Sequence, residues 1–428
     1  MSASSSAEPS KKILNVGPTN LETYVLPQEG YSVQITHTLK SIQKTWDALV
    51  PSHNIFLQRA YLETLENYPP ATMTFNYLVF YQGQCPIGIG YTQNFKIKGG
   101  DSLSTKLNEE AEKSACRLRG IRSALENWLI KKATFNILIA GNLLLTGEHG
   151  HYFKGLNEEQ GIELMRQGTA VLHKKIEKQG TKVQLILFKD FLPSSTATTR
   201  NLEQHAFHKF KVQPSMYLPL APEWKTQEDY LSAMSSKYRV KARRAAKKGK
   251  NILKKEFDLA SIQENEEQLF GLYKSVADNA DFNAFTLHKG YFGALKEYLR
   301  ERYKLIAYYI DNQLIAFYTT IFSGEDMQAH FLGLDKKYNR SHQVYLNILY
   351  DLVRMGIYHR VKRVDFARTA LEIKSSVGAL PRDMNCFIKH RNRFSGTIIR
   401  LLLKYLNSEE KWQQRRPFKG KFPPAKSP

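Results

Sequence analysis

The 428-residue chain predicts an α/β fold, α+β in detail, with mixed sheets covered by helices. Three observations predict it. Apolar runs of strand length alternate with longer stretches of helical period. The order hairpin, strand, helix, strand occurs on each side of a P-L-A-P-E run at 219–223, as in mixed layered folds. Apolar content of 42% is enough to build a sizeable core.

The elements follow in order. Residues 1–20 are polar and read as a disordered tail, and an irregular α/β region comes next. Runs 75–81 (FNYLVFY) and 87–95 flank Gln-Gly-Gln-Cys-Pro and read as a hairpin. Residues 103–129 are charge-rich with a helical pattern. Residues 135–140 read as a buried strand ended by Gly141-Asn142. Residues 158–179 place Ile162, Met165, Leu172 and Ile176 at helical spacing before Gly180. Strands are expected at 183–188 and within 205–220.

The second half predicts helices at 227–248, 265–278 and 289–302. A hairpin at 304–310 and 313–323 turns at Asp311-Asn312. A strand at 327–334, a helix at 344–357 and a strand at 363–366 follow. The expected units are a tail at 1–20, domains at 21–222 and 223–392, and a basic C-terminal helix and tail at 393–428. This organisation is an internal repeat in pattern order rather than in residue identity. In such sheets, ligands bind beyond strand carboxyl ends where neighbours diverge.

Charge and cysteine content narrow the partners. The net charge is +22 and the pI about 9.6. That implies an anionic partner: nucleic acid, a membrane surface or a phosphate-rich small molecule. Cys85, Cys116 and Cys386 are odd in number and far apart, which supports neither a disulfide framework nor a zinc site. The N-terminus lacks the apolar core of a secretory signal. Residues 133–145 are too short to span a bilayer, which takes about 20 apolar residues. The expectation is a cytoplasmic chain, free or peripheral on the inner face of the membrane. Walker A, G-x-S-x-G and Rossmann motifs are absent, so ATPase, serine hydrolase and dinucleotide oxidoreductase readings lack support.

Three segments carry candidate chemistry. Residues 237–255 hold ten Lys or Arg and no acid. Like charges one turn apart repel, so an anion is expected beside them. Residues 364–381, VDFARTALEIKSSVGALP, bring Arg368, Glu372 and Lys374 just past a strand end. Arg and Lys there suit phosphate or carboxylate. Arg368 and Glu372 would share a face if the segment is helical. Glu372 or Asp365 could take a proton from an attacking amine once burial raises its pKa. Gly378 permits a turn closed to other residues. Residues 141–152, GNLLLTGEHGHY, follow a strand and hold Asn142, Glu148, His149 and His151. Their spacing supplies no fourth ligand, so a cleft-shaping loop or a plain turn is expected rather than a metal site. His330 reads as a core histidine.

These residues resemble a family. The helix YLSAMSSKYRVKARRAAKK at 230–248 resembles the S-x-K-x-R-x-x-x-R helix of Fem-type and related bacterial acyltransferases of the GNAT superfamily. The segment DFARTALEIKSSVGALP at 365–381 resembles the D-F-G-R-T-x-x-x-x-K-x-x-x-G-A segment of the same proteins. The likeness is strongest over 225–392. It implies two tandem GNAT-like domains facing one cleft and transfer of an acyl or aminoacyl group to an amine. No resident cofactor is implied. Acyl-CoA, an acyl carrier protein or an aminoacyl-tRNA would serve as co-substrate.

By this match Lys237, Arg239 and Arg243 fall on the basic helix, and Arg368, Lys374, Ser375 and Gly378 on the cleft-edge segment. Ala367 replaces the usual glycine. The pyrophosphate loop of GNAT enzymes would fall at 336–343, where the sequence is KKYNRSHQ, without glycine. Arg340, Ser341 and His342 could supply replacement donors.

Three functions therefore stand as expectations. The first is an N-acyltransferase using a thioester donor on a lipid-like or cell-envelope amine. Asp365, Glu372 and Lys374 would be catalytic. Arg368, Ser375, Gly378, Lys237, Arg239, Arg243, Arg340, His342, Asn142 and His149 would bind substrate. The second is an aminoacyl-tRNA-dependent transferase acting on a peptidoglycan precursor. The third is a non-catalytic protein held on anionic membranes through the apolar, basic stretch 394–407.

Overall fold

The computed structural model describes residues 21–98, 134–279, 285–390 and 412–420. The tail expected at 1–20 and the helices expected at 103–129 and 394–407 lie outside the described residues.

The first half runs β1 (Thr23–Val25), β2 (Tyr31–Thr36), α1 (Gln43–Leu49), α2 (Arg59–Asn67), β3 (Met73–Gln82), β4 (Cys85–Lys98), β5 (Thr134–Ala140), β6 (His151–Phe153), α3 (Glu158–Lys178), β7 (Leu185–Phe191), α4 (Thr196–Gln204) and β8 (His208–Pro219). The second half runs α5 (Gln227–Ala233), α6 (Ser236–Lys248), β9 (Leu253–Glu256), α7 (Leu259–Glu264), α8 (Glu266–Ala277), α9 (Tyr291–Leu299), β10 (Tyr303–Ile310), β11 (Gln313–Ser323), β12 (Asp326–Leu334), α10 (Lys336–His342), α11 (Val344–Tyr358), β13 (Arg363–Asp365), α12 (Leu371–Ser376) and β14 (Leu380–His390). The hairpins, the central strands and α3, α8 and α11 form where apolar periodicity placed them.

All these strands belong to one mixed sheet, ordered β1-β2-β3-β4-β5-β7-β14-β8-β13-β12-β11-β10-β9, with β6 paired to β4. The order reveals an exchange. β14, last in the chain, lies against β7 of the first half, and β8 lies against β13 of the second. β14 and β8 pair with each other at the centre. Each half would otherwise end on an exposed edge at β7 or β13, and the exchange covers both. The outer edge at β9 is short and carries exposed Lys254 and Lys255, which discourages further strand addition.

Alternation along the strands feeds two faces. Leu78 and Val79 are both buried but join different clusters. One cluster joins Tyr61 and Leu65 of α2 to Tyr291 and Leu295 of α9, so the two halves share a core. On the other face, α3 covers the first half and α11 the second.

Two expected elements differ. The single helix at 227–248 is two helices, broken at Met234–Ser235. Ser235 N donates to Pro417 O at 2.8 Å, and Met234 bridges Phe418. The break is made by a segment some 180 residues away. The loop expected at 336–343 is helix α10, capped by the Asp335 side chain.

Candidate active site where two parallel strands part

β12 and β13 run parallel for three residue pairs, ending at Gln328↔Asp365. β13 stops there and β12 continues to Leu334. A bulge in β12 at His330 and Phe331, opposite Thr319, interrupts its register with β11. The Thr319 hydroxyl fills it, donating to Phe331 O and accepting from Phe331 N, each at 2.9 Å. Residues 329–332 are consequently half-buried in the middle of a large sheet. The other parallel pair, β5 with β7, parts after Ala140↔Phe188. A crevice beyond strand carboxyl ends is where open α/β sheets bind ligands.

Asp365 ends β13 at this parting. Its Oδ1 accepts from Ser215 Oγ at 2.9 Å and from Ala367 N at 2.7 Å. Burial pushes the carboxyl above its ordinary range. The two hydrogen bonds, Arg382 and Lys374 pull against that shift. Gln328 is its partner in register, so both point to one face, and His330 lies two residues further on. His330 Nε2 meets Tyr291 Oη at 2.8 Å, and burial pushes it down to about 3. It is thus a neutral, hydrogen-bonded histidine at the mouth of the parting.

The loop after Asp365 is bent by positive φ at Ala367 (56°), Thr369 (67°) and Ala370 (49°), a conformation that disfavours side chains. Lys374 holds it. Its Nζ donates to the carbonyls of Phe366 (2.6 Å), Ala367 (3.4 Å) and Arg368 (2.5 Å). All three ammonium donors are used on backbone, so Lys374 positions the loop instead of meeting substrate. Burial lowers its pKa to about 7, against the pull of Asp365. The unfolded chain keeps the ordinary value of 10.5 and binds more protons between the two, so stability rises with pH across that window. Lys374→Met is expected to cost about 1–3 kcal/mol through stranded carbonyls and to abolish that rise. Urea melts at pH 7 and pH 9 check both, and an unchanged pH dependence refutes this role.

The other expected residues separate. Arg368 and Glu372 share no face, because the helix begins only at Leu371. Arg368 turns inward, donating to Asp190 and, through Nε, to Gln213 O at 3.0 Å. It ties the halves together and does not reach the cleft. Glu372 points outward and pairs with Arg415. Ser375 is buried, donating to Glu372 O and accepting from Arg415 N at 2.9 Å. Gly378 has φ 99°, and a Cβ there would overlap the Phe418 ring. Both support backbone.

The basic helix and the 364–381 segment do meet. Lys237 and Lys241 of α6 face Glu372 across a cleft of about 500 Å³. Arg239 bends back to Met234 O at 3.4 Å. Arg243 pairs with Glu228 and lines a separate cavity of about 570 Å³. Arg340 is exposed on α10, and His342 meets Ser341 Oγ at 2.9 Å. Neither completes an amide cradle, because Asn339 Oδ1 already accepts from Tyr345 N at 3.0 Å at the start of α11.

In the first half, Asn142 is buried, its Oδ1 accepting from Gln93 Nε2 at 3.1 Å and Leu144 N at 3.0 Å. His149 is pushed down to about 4 by burial and by Lys189, with its ring nitrogens engaged by Asn54 and Thr146. Both shape the loop after β5.

Several residues carried no sequence signal. Lys189 and Asp190 form a buried ion pair on β7, Ser215 reaches Asp365 from the exchanged strand, and Arg415 comes from the C-terminal segment. Only the strand exchange and the docked segment bring them in.

Residues 236–375 match the profile of the Acetyltransferase (GNAT) domain family. No curated protein matches the chain. Solved structures of similar shape include FemX (13% identity, 86% of this chain and 99% of that one, TM-score 0.49). L-PGS from Bacillus licheniformis is 9% identical over 81% of this chain and 95% of that one, with TM-score 0.44. A tandem GNAT protein from the clavulanic acid biosynthesis pathway is 9% identical over 78% and 88%, with TM-score 0.45.

Proposed function

We propose, from the match of residues 236–375 to the acetyltransferase (GNAT) domain family, that the chain is a GNAT-fold acyltransferase and acylates an amine of a lipid-like or cell-envelope molecule at the parting of β12 and β13. The units 21–222 and 223–392 act together, sharing a core and exchanging their last strands. The family match favours catalysis over the non-catalytic reading, and a membrane-borne acceptor is compatible with catalysis. Among the described residues, no helix is long and apolar enough to cross a membrane.

The observation that carries the proposal is Asp365, a half-buried carboxylate held by Ser215 and Ala367 N at the carboxyl end of β13, with its pKa raised by desolvation. It takes a proton from the attacking amine. The amine nitrogen bonds to the acyl carbon, and the bond from that carbon to the donor sulfur or oxygen breaks. The donor leaves as thiol or alcohol once protonated. The unpaired edge of β12 beyond Gln328 offers backbone amides to the developing oxyanion.

One observation bears on the donor. At the start of α3 and of α11 one backbone amide is already taken by a nearby side chain. Asn157 and Gln160 form a capping box at α3, and Asn339 takes the Tyr345 amide at α11. A coenzyme A diphosphate would have to compete with these side chains for those amides. This favours a thioester on a carrier protein, or the aminoacyl-tRNA reading. Thermal-shift titration with acyl carrier protein, tRNA and coenzyme A tests it. A true donor at a hundredfold excess over Kd stabilises by about 2.7 kcal/mol. Free coenzyme A is expected to give no shift, and a clear shift with it alone overturns this choice of donor.

A further inference from the structure

We infer that α6, α12 and the segment 412–420 together form a binding site for the phosphate of a small organophosphate bearing an apolar group. This inference rests on the transferase reading for the ligand's role as a substrate, but not for the site's existence. The segment is seated firmly. The Phe418 ring packs on Trp224 and Tyr230, with centroids 5.5 and 5.9 Å apart, in the space that Gly378 leaves open. Ser235 N donates to Pro417 O at 2.8 Å and Lys419 N to Ala233 O at 3.0 Å. Arg415 N donates to Ser375 Oγ at 2.9 Å. Anchors on both sides therefore deliver the Arg415 guanidinium into the cleft.

The cleft is unbalanced in charge. Lys237 and Lys241 stand one turn apart on α6 and face the same space. Glu372 is the acid on the opposite wall, and Arg415 already neutralises it through Nε, at 3.0 Å, and Nη2. Among the described residues neither lysine is in an ion pair, and Lys241 Nζ meets only Ser376 Oγ, at 3.1 Å. Burial first, then Arg415 and Lys237, pull Lys241 below its ordinary value, and Glu372 pulls the other way without cancelling them. A phosphate dianion supplies the two charges that are missing. Tyr238 and Ile373, packed on the core, wall the same cleft and give an apolar surface for the rest of the molecule. A volume of about 500 Å³ suits a small ligand. A nucleic-acid strand would instead need cations spaced along a track.

Calorimetric titration of the full chain tests the site with inorganic phosphate, phenyl phosphate, and phosphatidylcholine vesicles containing phosphatidic acid. Phenyl phosphate is expected to bind more tightly than inorganic phosphate. Lys237→Gln, Lys241→Gln and Arg415→Gln are each expected to weaken it about tenfold, as loss of a charged hydrogen bond does. Lys241→Arg retains binding. Should Arg415→Gln loosen the segment, the two helix variants still report on the cleft, and unchanged melting temperatures confirm their fold. Vesicle binding that is lost in Lys241→Gln assigns the phosphate to a lipid headgroup, and phenyl phosphate binding alone assigns it to a soluble molecule. Absence of binding to all three probes, or equal binding by the Gln variants, overturns the site. A flat titration in a chain whose amine acylation still depends on Asp365 would remove the site and leave the transferase reading standing.

Discussion

Asp365→Asn is expected to lower amine acylation by roughly 10²–10⁴-fold, the usual worth of a positioned general base, while leaving the fold intact. Asn keeps an Oδ1 that can accept from Ser215 Oγ and Ala367 N, the two bonds that orient the native side chain. What it loses is the capacity to take a proton. Burial raises the Asp365 carboxyl above its ordinary 3.8, so the active form appears only above that value. The native rate should therefore rise with pH through a pKa higher than 3.8, and the Asn variant should lack that limb. Ser215→Ala removes one of two bonds favouring the carboxylate, so it should move the limb further up. A turnover rate unchanged in Asp365→Asn, measured with the donor identified by thermal shift, removes Asp365 from the mechanism.

Asp190→Asn is the change expected to damage stability most. Asp190 is fully buried at the end of β7 with φ 67°. Its carboxylate accepts from Lys189, from Arg368 and from Gly147 N at 3.1 Å. Burial alone would push its pKa up, but Lys189 and Arg368 outweigh burial and hold it down at about 2. Lys189 is lowered by burial and by Arg368, and Asp190 pulls it back up. A carboxylate between two cations keeps all three charged. Neutralising it strands two buried cations, a loss of about 3–5 kcal/mol. The sign with pH follows from the depressed value. The native contribution is complete above the unfolded pKa of 3.8 and is lost as pH falls toward about 2. Urea unfolding at pH 7 should show the full deficit, narrowing in acid. Equal stability of the two proteins at pH 7 refutes this role.

The consequence reaches beyond the ion pair. Arg368 belongs to the loop that Lys374 pins and that carries the Ala367 amide onto Asp365. Asp190 belongs to the first half. The charge cluster therefore couples the loop after Asp365 to a strand that precedes it by about 180 residues.

Much of the fold was legible from residues 75–95, 304–323 and 344–357. There the apolar period alone separates strand from helix, because one face or both must leave water. The 365–381 segment and the basic helix were legible as a pair, and the folded chain brings them to one cleft. Their individual roles were not legible. Lys374 and Arg368 read as substrate cations because a lysine or arginine after a strand end looks the same whether it faces a ligand or a carbonyl. The difference lies in the three positive-φ residues that turn the loop back on itself.

The sequence by itself determined the alternation of strands and helices, the doubled pattern, the excess of positive charge and the segments that carry it. These are local or additive properties, set by side-chain period and by ionisation. Only the tertiary structure decided that β8 and β14 change places, that Phe418 breaks a helix at Met234–Ser235, and that burial raises the Asp365 carboxyl. Each of those depends on a partner more than 100 residues distant, or on how much water the surrounding elements exclude. Neither quantity is written in any short stretch of chain.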